Sequence, residues 1–302
     1  MKQRVSEEQR RRVLDLRRRM SLREVAIETG LPLGTVKTLV SRSGAFRDNP
    51  THHAYFTLPP VRPSTERRPS VPTAPPQKAV TGDKEVDALL WLRTCIKTGD
   101  ERLVATALEA SKRIATPLKE LEDRFAAYLR AANPDNPFAT FASIGFANLE
   151  RLALDSLQQA KDRVEACARF DDVNLDTEQE LFCMAALDGL ERDRMGFYDK
   201  AEAAERFRAH PDLLPQTLAD CCHELDFWND LYRLRRACCP PGGYTYEGPT
   251  EASARSWFVE GLLAEIRPRS REEAKTVFKK LMGEKRNYQL ADLDPVINNL
   301  VG

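Results

Sequence analysis

Eight prolines between residues 50 and 76, with no glycine among them, divide this chain of 302 residues into a short head and a long body. Proline fixes φ and lacks an amide donor, so the spacing predicts neither helix nor central strand from Pro50 to Pro76. Such a segment runs extended at about 3.1 Å per residue, and residues 59–78 would reach roughly 60 Å. Its opening, His52-His53-Ala54-Tyr55-Phe56-Thr57-Leu58, is too apolar for a free spacer and is expected to pack on a neighbouring surface. The expected division is a head over residues 1–48, a Pro-rich linker over 49–80 and a body over 81–302.

The body reads as helix almost throughout. Val86, Leu89, Leu90, Leu92 and Ile96 recur at the helical period, and Asp100 is placed to cap a second helix carrying Leu103, Val104, Ala107 and Leu108. Thr116-Pro117 opens a third. A longer periodic segment runs from Phe138 to Phe170, with Phe138, Phe141, Ile144, Phe146 and Leu149 expected as one buried helix face or an oligomer seam. Further helices are predicted over 177–193, 199–209, 215–238, 250–266 and 270–282, with a short one near the C-terminus. Alternating apolar and polar runs are absent, so the fold class is all-α: a three-helix head, a linker and a larger helical domain.

In the head, Ser6-Glu7-Glu8-Gln9 and Ser21-Leu22-Arg23-Glu24 are two capping boxes. Leu22, Val25 and Ala26 face inward until Gly30 stops the helix in a left-handed turn. Leu31-Pro32 makes the turn, and Gly34 to Ser43 form a third helix with Val36, Leu39 and Val40 apolar. A small residue at the crossing, a turn glycine and apolar sites at Val25, Leu31, Val36 and Leu39 match the helix-turn-helix pattern.

These residues carry a resemblance. Leu22-Arg23-Glu24-Val25-Ala26, followed by Gly30-Leu31-Pro32-Leu33-Gly34-Thr35-Val36-Lys37-Thr38-Leu39-Val40-Ser41-Arg42, resembles bacterial helix-turn-helix proteins, sigma-factor region 4 and the resolvase-type DNA-binding domain above all. It covers residues 5–47 alone. The resemblance implies that double-stranded DNA is the partner, met by Leu33, Gly34, Thr35, Lys37, Thr38, Ser41 and Arg42 of the recognition helix and by Ser21 and Arg23 of the helix before it. Thr35 in the first turn suits a phosphate, and Lys37 or Arg42 suits a guanine edge. Arg17, Arg18 and Arg19 are further candidate phosphate contacts.

Charge agrees with that division. The net charge is zero, but residues 1–80 hold 16 Lys and Arg against 7 Asp and Glu, a balance of +9. The rest holds 30 against 39, or −9. A basic head on an acidic body expects only the head to approach a polyanion, in a manner that weakens with salt.

Other constellations weigh little in the sequence. The seven cysteines are irregularly spaced, Cys221-Cys222-His223 and Cys238-Cys239 lack zinc spacing, and no metal or cofactor is expected. Asp220, Glu224, Asp226 and Asp230 read as a solvated acidic helix face. Phosphate-binding and nucleophile-elbow motifs are missing, so an enzyme is not expected. With no apolar run of membrane length and no leader, the expected compartment is the cytoplasm. The composite expectation is a sequence-specific double-stranded DNA-binding protein, a bacterial or mobile-element transcriptional regulator, pairing as a homo-oligomer through residues 81–302 or recruiting a further protein. The alternatives are the DNA-binding subunit of a phage packaging, replication or partition machine, or an effector that autoregulates through its helix-turn-helix.

Overall fold

Helix starts are set locally. In the computed structural model, which describes residues 5–17, 20–43, 46–63, 73–240, 243–283 and 290–301, Ser6 Oγ accepts the Gln9 amide at 3.1 Å while Gln9 returns its carbonyl oxygen to the Ser6 amide. That cap opens α1 (Glu7–Arg17). Ser21 and Glu24 exchange the same pair of bonds at the start of α2 (Leu22–Thr29), and Gly30 ends it at φ 66°, where a side chain would be strained. Leu31 and Pro32 lead into α3 (Leu33–Ser43). The three helices meet at Val13, Val25 and Val36, all fully buried, with Leu16, Leu22, Ala26, Leu31 and Leu39 packed around them. Burying three valines contributes several kcal/mol at about 1.5–3 each, a small core that leans on its caps.

Residues 50–55 depart from the expectation of no helix after Pro50. They form α4 (Pro50–Tyr55): Asn49 Oδ1 accepts the His52 amide at 3.2 Å, and Pro50 takes the first helical position, where its missing amide costs nothing. His52 and Phe56 are then fully buried, which accounts for the apolar character of this stretch.

Beyond α4 the described chain is helical, with a single isolated bridge between Arg192 and Tyr198 and no strand among the described residues. Two compact units form. The first gathers residues 1–59, 174–235 and 245–302; the second gathers 60–173 and 236–244. The expected single body over 81–302 is therefore divided, with its later helices grouped with the head.

The second unit holds α5 (Lys84–Lys97), α6 (Glu101–Ser111), α7 (Leu118–Ala132) and α8 (Leu149–Arg169) around an apolar centre that includes Leu89, Ile96, Leu121, Phe125 and Phe146. Gly99 turns α5 into α6 at φ 68° so close to α8 that a Cβ there would lie 2.6 Å from Ala160 Cβ. The expected long helix from Phe138 begins only at Leu149, where Asn148 Oδ1 accepts the Arg151 amide. Ala139–Ser143 make a 3-10 turn, and Gly145 takes a left-handed conformation. Phe138, Phe141 and Ile144 are consequently exposed, and only Phe146 and Leu149 of that stripe reach the core. The described parts of the Pro-rich stretch from residue 60 on also belong to this unit: Arg62 donates its amide to Ala168, and Trp91 donates to the Pro75 carbonyl at 2.7 Å. Residues 64–72 fall outside the described residues.

The first unit adds α9 (Glu178–Ala186), α10 (Lys200–Arg208), α11 (Leu218–Cys238), α12 (Thr250–Glu265), α13 (Arg271–Gly283) and α14 (Leu290–Val301). α12 is the hub, packing on α9, α10 and α14. No helix is long and apolar enough to cross a membrane among the described residues.

Candidate nucleic-acid interface and a buried histidine cluster

α3 turns Val36 into the core of the head and leaves the opposite side to solvent. Lys37, Thr38, Ser41 and Arg42 are exposed on it, with Gly34 exposed and Leu33 and Thr35 half-buried in the first turn. Among the described residues neither Lys37 nor Arg42 has an acidic partner, so two uncompensated cations stand on this face. Thr38 is less available, because its hydroxyl donates to the Gly34 carbonyl at 2.9 Å. Ser21 and Arg23 are exposed at the start of α2, although Ser21 Oγ is engaged by the Glu24 amide.

Three arginines of α1 do not share this availability. Arg10 pairs with Glu7 and Arg12 with Glu28. Arg17, a candidate phosphate contact in the sequence, is turned inward: it donates to the Met20 carbonyl at 2.9 Å and lies over the Phe46 ring at 5.2 Å. Burial, and then the nearby charge of Arg267, lower its pKa. The contact holds Phe46, whose φ of 71° is a strained conformation for a bulky residue. Arg18 and Arg19 lie outside the described residues. From the other end of the chain, Arg267 reaches within 3.8 Å of Glu24, and Arg269 pairs with Asp48 at 2.9 Å.

The second feature of this unit is one the sequence did not disclose. α4 lies against α11 through buried polar groups. His52 Nε2 is 2.7 Å from Glu224 Oε2, and His53 Nε2 is 2.7 Å from Asp220 Oδ1. Asp220 also accepts the amides of Asn49, Gln216 and Thr217. Glu224 is gripped by Arg255 through Nε at 2.7 Å and Nη2 at 2.8 Å, with Trp228 donating to the same carboxylate. Both acids are fully buried, which corrects the expected solvated acidic face; only Asp226 and Asp230 of that set are exposed to a large degree.

No family model, curated protein or solved structure matches the chain.

The electrostatics of the cluster follow from burial. Burial alone would raise the carboxyl of Glu224, but the charge and hydrogen bonds of Arg255 and the bond from His52 outweigh it and leave the pKa lowered. Desolvation works against the charge of Arg255, and Glu224 overcomes it, raising that pKa. The guanidinium sits among four rings, those of Phe56, Phe182, Phe207 and Phe258, at 5.2–5.9 Å. Burial also pushes the neighbouring Cys183 and Cys221 thiols well up, which keeps them unreactive. No disulfide joins any of the seven cysteines.

His223 completes the group, stacking on His53 with ring centroids 4.3 Å apart and placing Nε2 3.1 Å from the His53 carbonyl. Three of the chain's four histidines thus meet in one place. One ring nitrogen each of His52 and His53 and a carboxylate oxygen of Asp220 lie within 4.8 Å of one another. The signals available in sequence were the His52-His53 pair and the i, i+4 spacing of Asp220 and Glu224 beside His223. Nothing short-range tied the one to the other.

Proposed function

We propose that the chain binds duplex DNA through its head, with α3 in the major groove, and acts as a sequence-specific regulator. The observation that carries this reading is the exposed face of α3, where Lys37 and Arg42 stand unpaired opposite a buried Val36 on a capped three-helix unit. Exposed cations without internal partners are available to phosphates and to guanine O6 and N7, whereas Arg10, Arg12 and Arg17 of α1 are already engaged. Ser21 and Arg23, exposed at the start of α2, would meet the backbone. A single three-helix module reads few base pairs, so the proposal includes pairing of heads through residues 81–302 and a site of two half-sites.

Selection of genomic fragments by the full-length protein at moderate salt tests it. Enrichment of a two-fold symmetric sequence is expected. Arg42→Ala should lower affinity for the selected site by roughly 5- to 150-fold, the equivalent of about 1–3 kcal/mol for a guanine contact. Lys37→Ala, if it loses only a phosphate, should reduce the salt slope by about one and weaken all sequences alike. Light scattering should report more than one chain per particle. Unaltered binding in the double variant would remove α3 from the interface.

A further inference from the structure

We propose that His52, His53 and Asp220 form a divalent transition-metal site, of the zinc class, that clamps α4 to α11. The Glu224 carboxylate accepts from Arg255 Nε and Nη2 and from Trp228 Nε1, so the His52 ring stands as the Nε2–H tautomer, donating to Oε2 at 2.7 Å. The other ring nitrogen, Nδ1, is then a lone pair. It is buried and has no hydrogen-bond partner among the described residues. An imidazole whose one nitrogen is oriented by a carboxylate, leaving the other as an unshared donor, is the arrangement that prepares histidine to ligate a metal.

Unpaired buried polar atoms cost stability and are rare, and this one lies on a residue with no exposed surface at all. The His52 ring offers one nitrogen within 4.8 Å of donor atoms of His53 and Asp220. The hydrogen now shared between His53 Nε2 and Asp220 Oδ1 is what a cation would displace. Two imidazole nitrogens and one carboxylate oxygen are a borderline donor set, suited to zinc or cobalt and poorly suited to calcium or magnesium. Zinc at about 2.0–2.1 Å from each donor sets tetrahedral donors about 3.3 Å from one another, so His53 Nε2 and Asp220 Oδ1, now 2.7 Å apart, would separate to admit it. His53 is the member able to move: its side chain is 34% exposed, whereas those of His52 and Asp220 are buried, so it also marks the way in from solvent.

The site is independent of the DNA-binding proposal and is tested without it. The full chain, stripped with chelator, is titrated with cobalt and, separately, with zinc. One ion per chain is expected, giving a visible cobalt d–d band with no thiolate charge-transfer band, and zinc should raise the midpoint of thermal unfolding. His53→Gln should abolish both responses, while His210→Gln, at the histidine outside the cluster, should leave them intact. Failure of the folded wild-type chain to take up either ion overturns the proposal, and this needs no variant. A thiolate charge-transfer band would assign the ion to the cysteines instead and overturn it equally, as would uptake unchanged in His53→Gln.

Discussion

The two units solve the same problem with different chemistry. The second closes around leucine, isoleucine and phenylalanine, and its buried Asp87 serves as a local clasp, accepting the Thr81 amide and hydroxyl at the start of α5. The first buries Arg235 against Glu180 and Arg255 against Glu224, with His52 and Asp220 alongside. Apolar packing is non-directional and tolerates exchange at constant volume. A buried ion pair is worth little against an apolar replacement, yet losing one partner strands a charge out of water. The apolar unit should therefore be the forgiving one, and the ionic unit the one whose partners are strictly specified.

The largest test of that contrast is Arg255→Ala. It leaves Glu224 buried with His52 and Trp228 as its remaining side-chain donors among the described residues, and a loss of about 3–5 kcal/mol is expected from urea unfolding. Combining Arg255→Met with Glu224→Leu should recover most of the loss. If the single change costs less than about 1 kcal/mol, water reaches Glu224 and the contrast fails.

Next in size is Leu121, fully buried in the second unit. Leu121→Ala should cost roughly 2–5 kcal/mol, and Leu121→Met less than about 1.5. A large penalty for the methionine would mean that the apolar unit is as exacting as the ionic one. The smallest effect belongs to the head, whose core is slight and whose ends are set by caps. Ser21→Ala removes the acceptor of the Glu24 amide and should cost about 1 kcal/mol, read as lower protection of the α2 amides in hydrogen exchange.

Legibility followed the range of the interactions. Ser21, Glu24 and Gly30 bond within their own turn, so the start and stop of α2 could be read directly from the chain. The faces of α1 and α3 were legible for the same reason, since Val13 and Val36 announce themselves by period. Phe138, Phe141 and Ile144 misled because their spacing is helical, while Gly145 and Asn148 break the backbone into turns before Leu149. Arg17 was legible as a charge and illegible as a contact, because its partners, the Met20 carbonyl and the Phe46 ring, depend on how the chain leaves the head.

The amino-acid sequence by itself determined an all-helical protein, the caps at Ser6, Ser21 and Asp100, and a basic face on α3, because each of these is written within a few residues. Only the tertiary structure decided that Pro50 opens a helix seated on α11 and that the acids at 220 and 224 are interior. It alone brought His52 to Glu224, a partner 172 residues away. Burial of a charge is set by what surrounds it. Here the surroundings come from α4, α11 and α12, segments whose pairing leaves no periodic mark in the sequence.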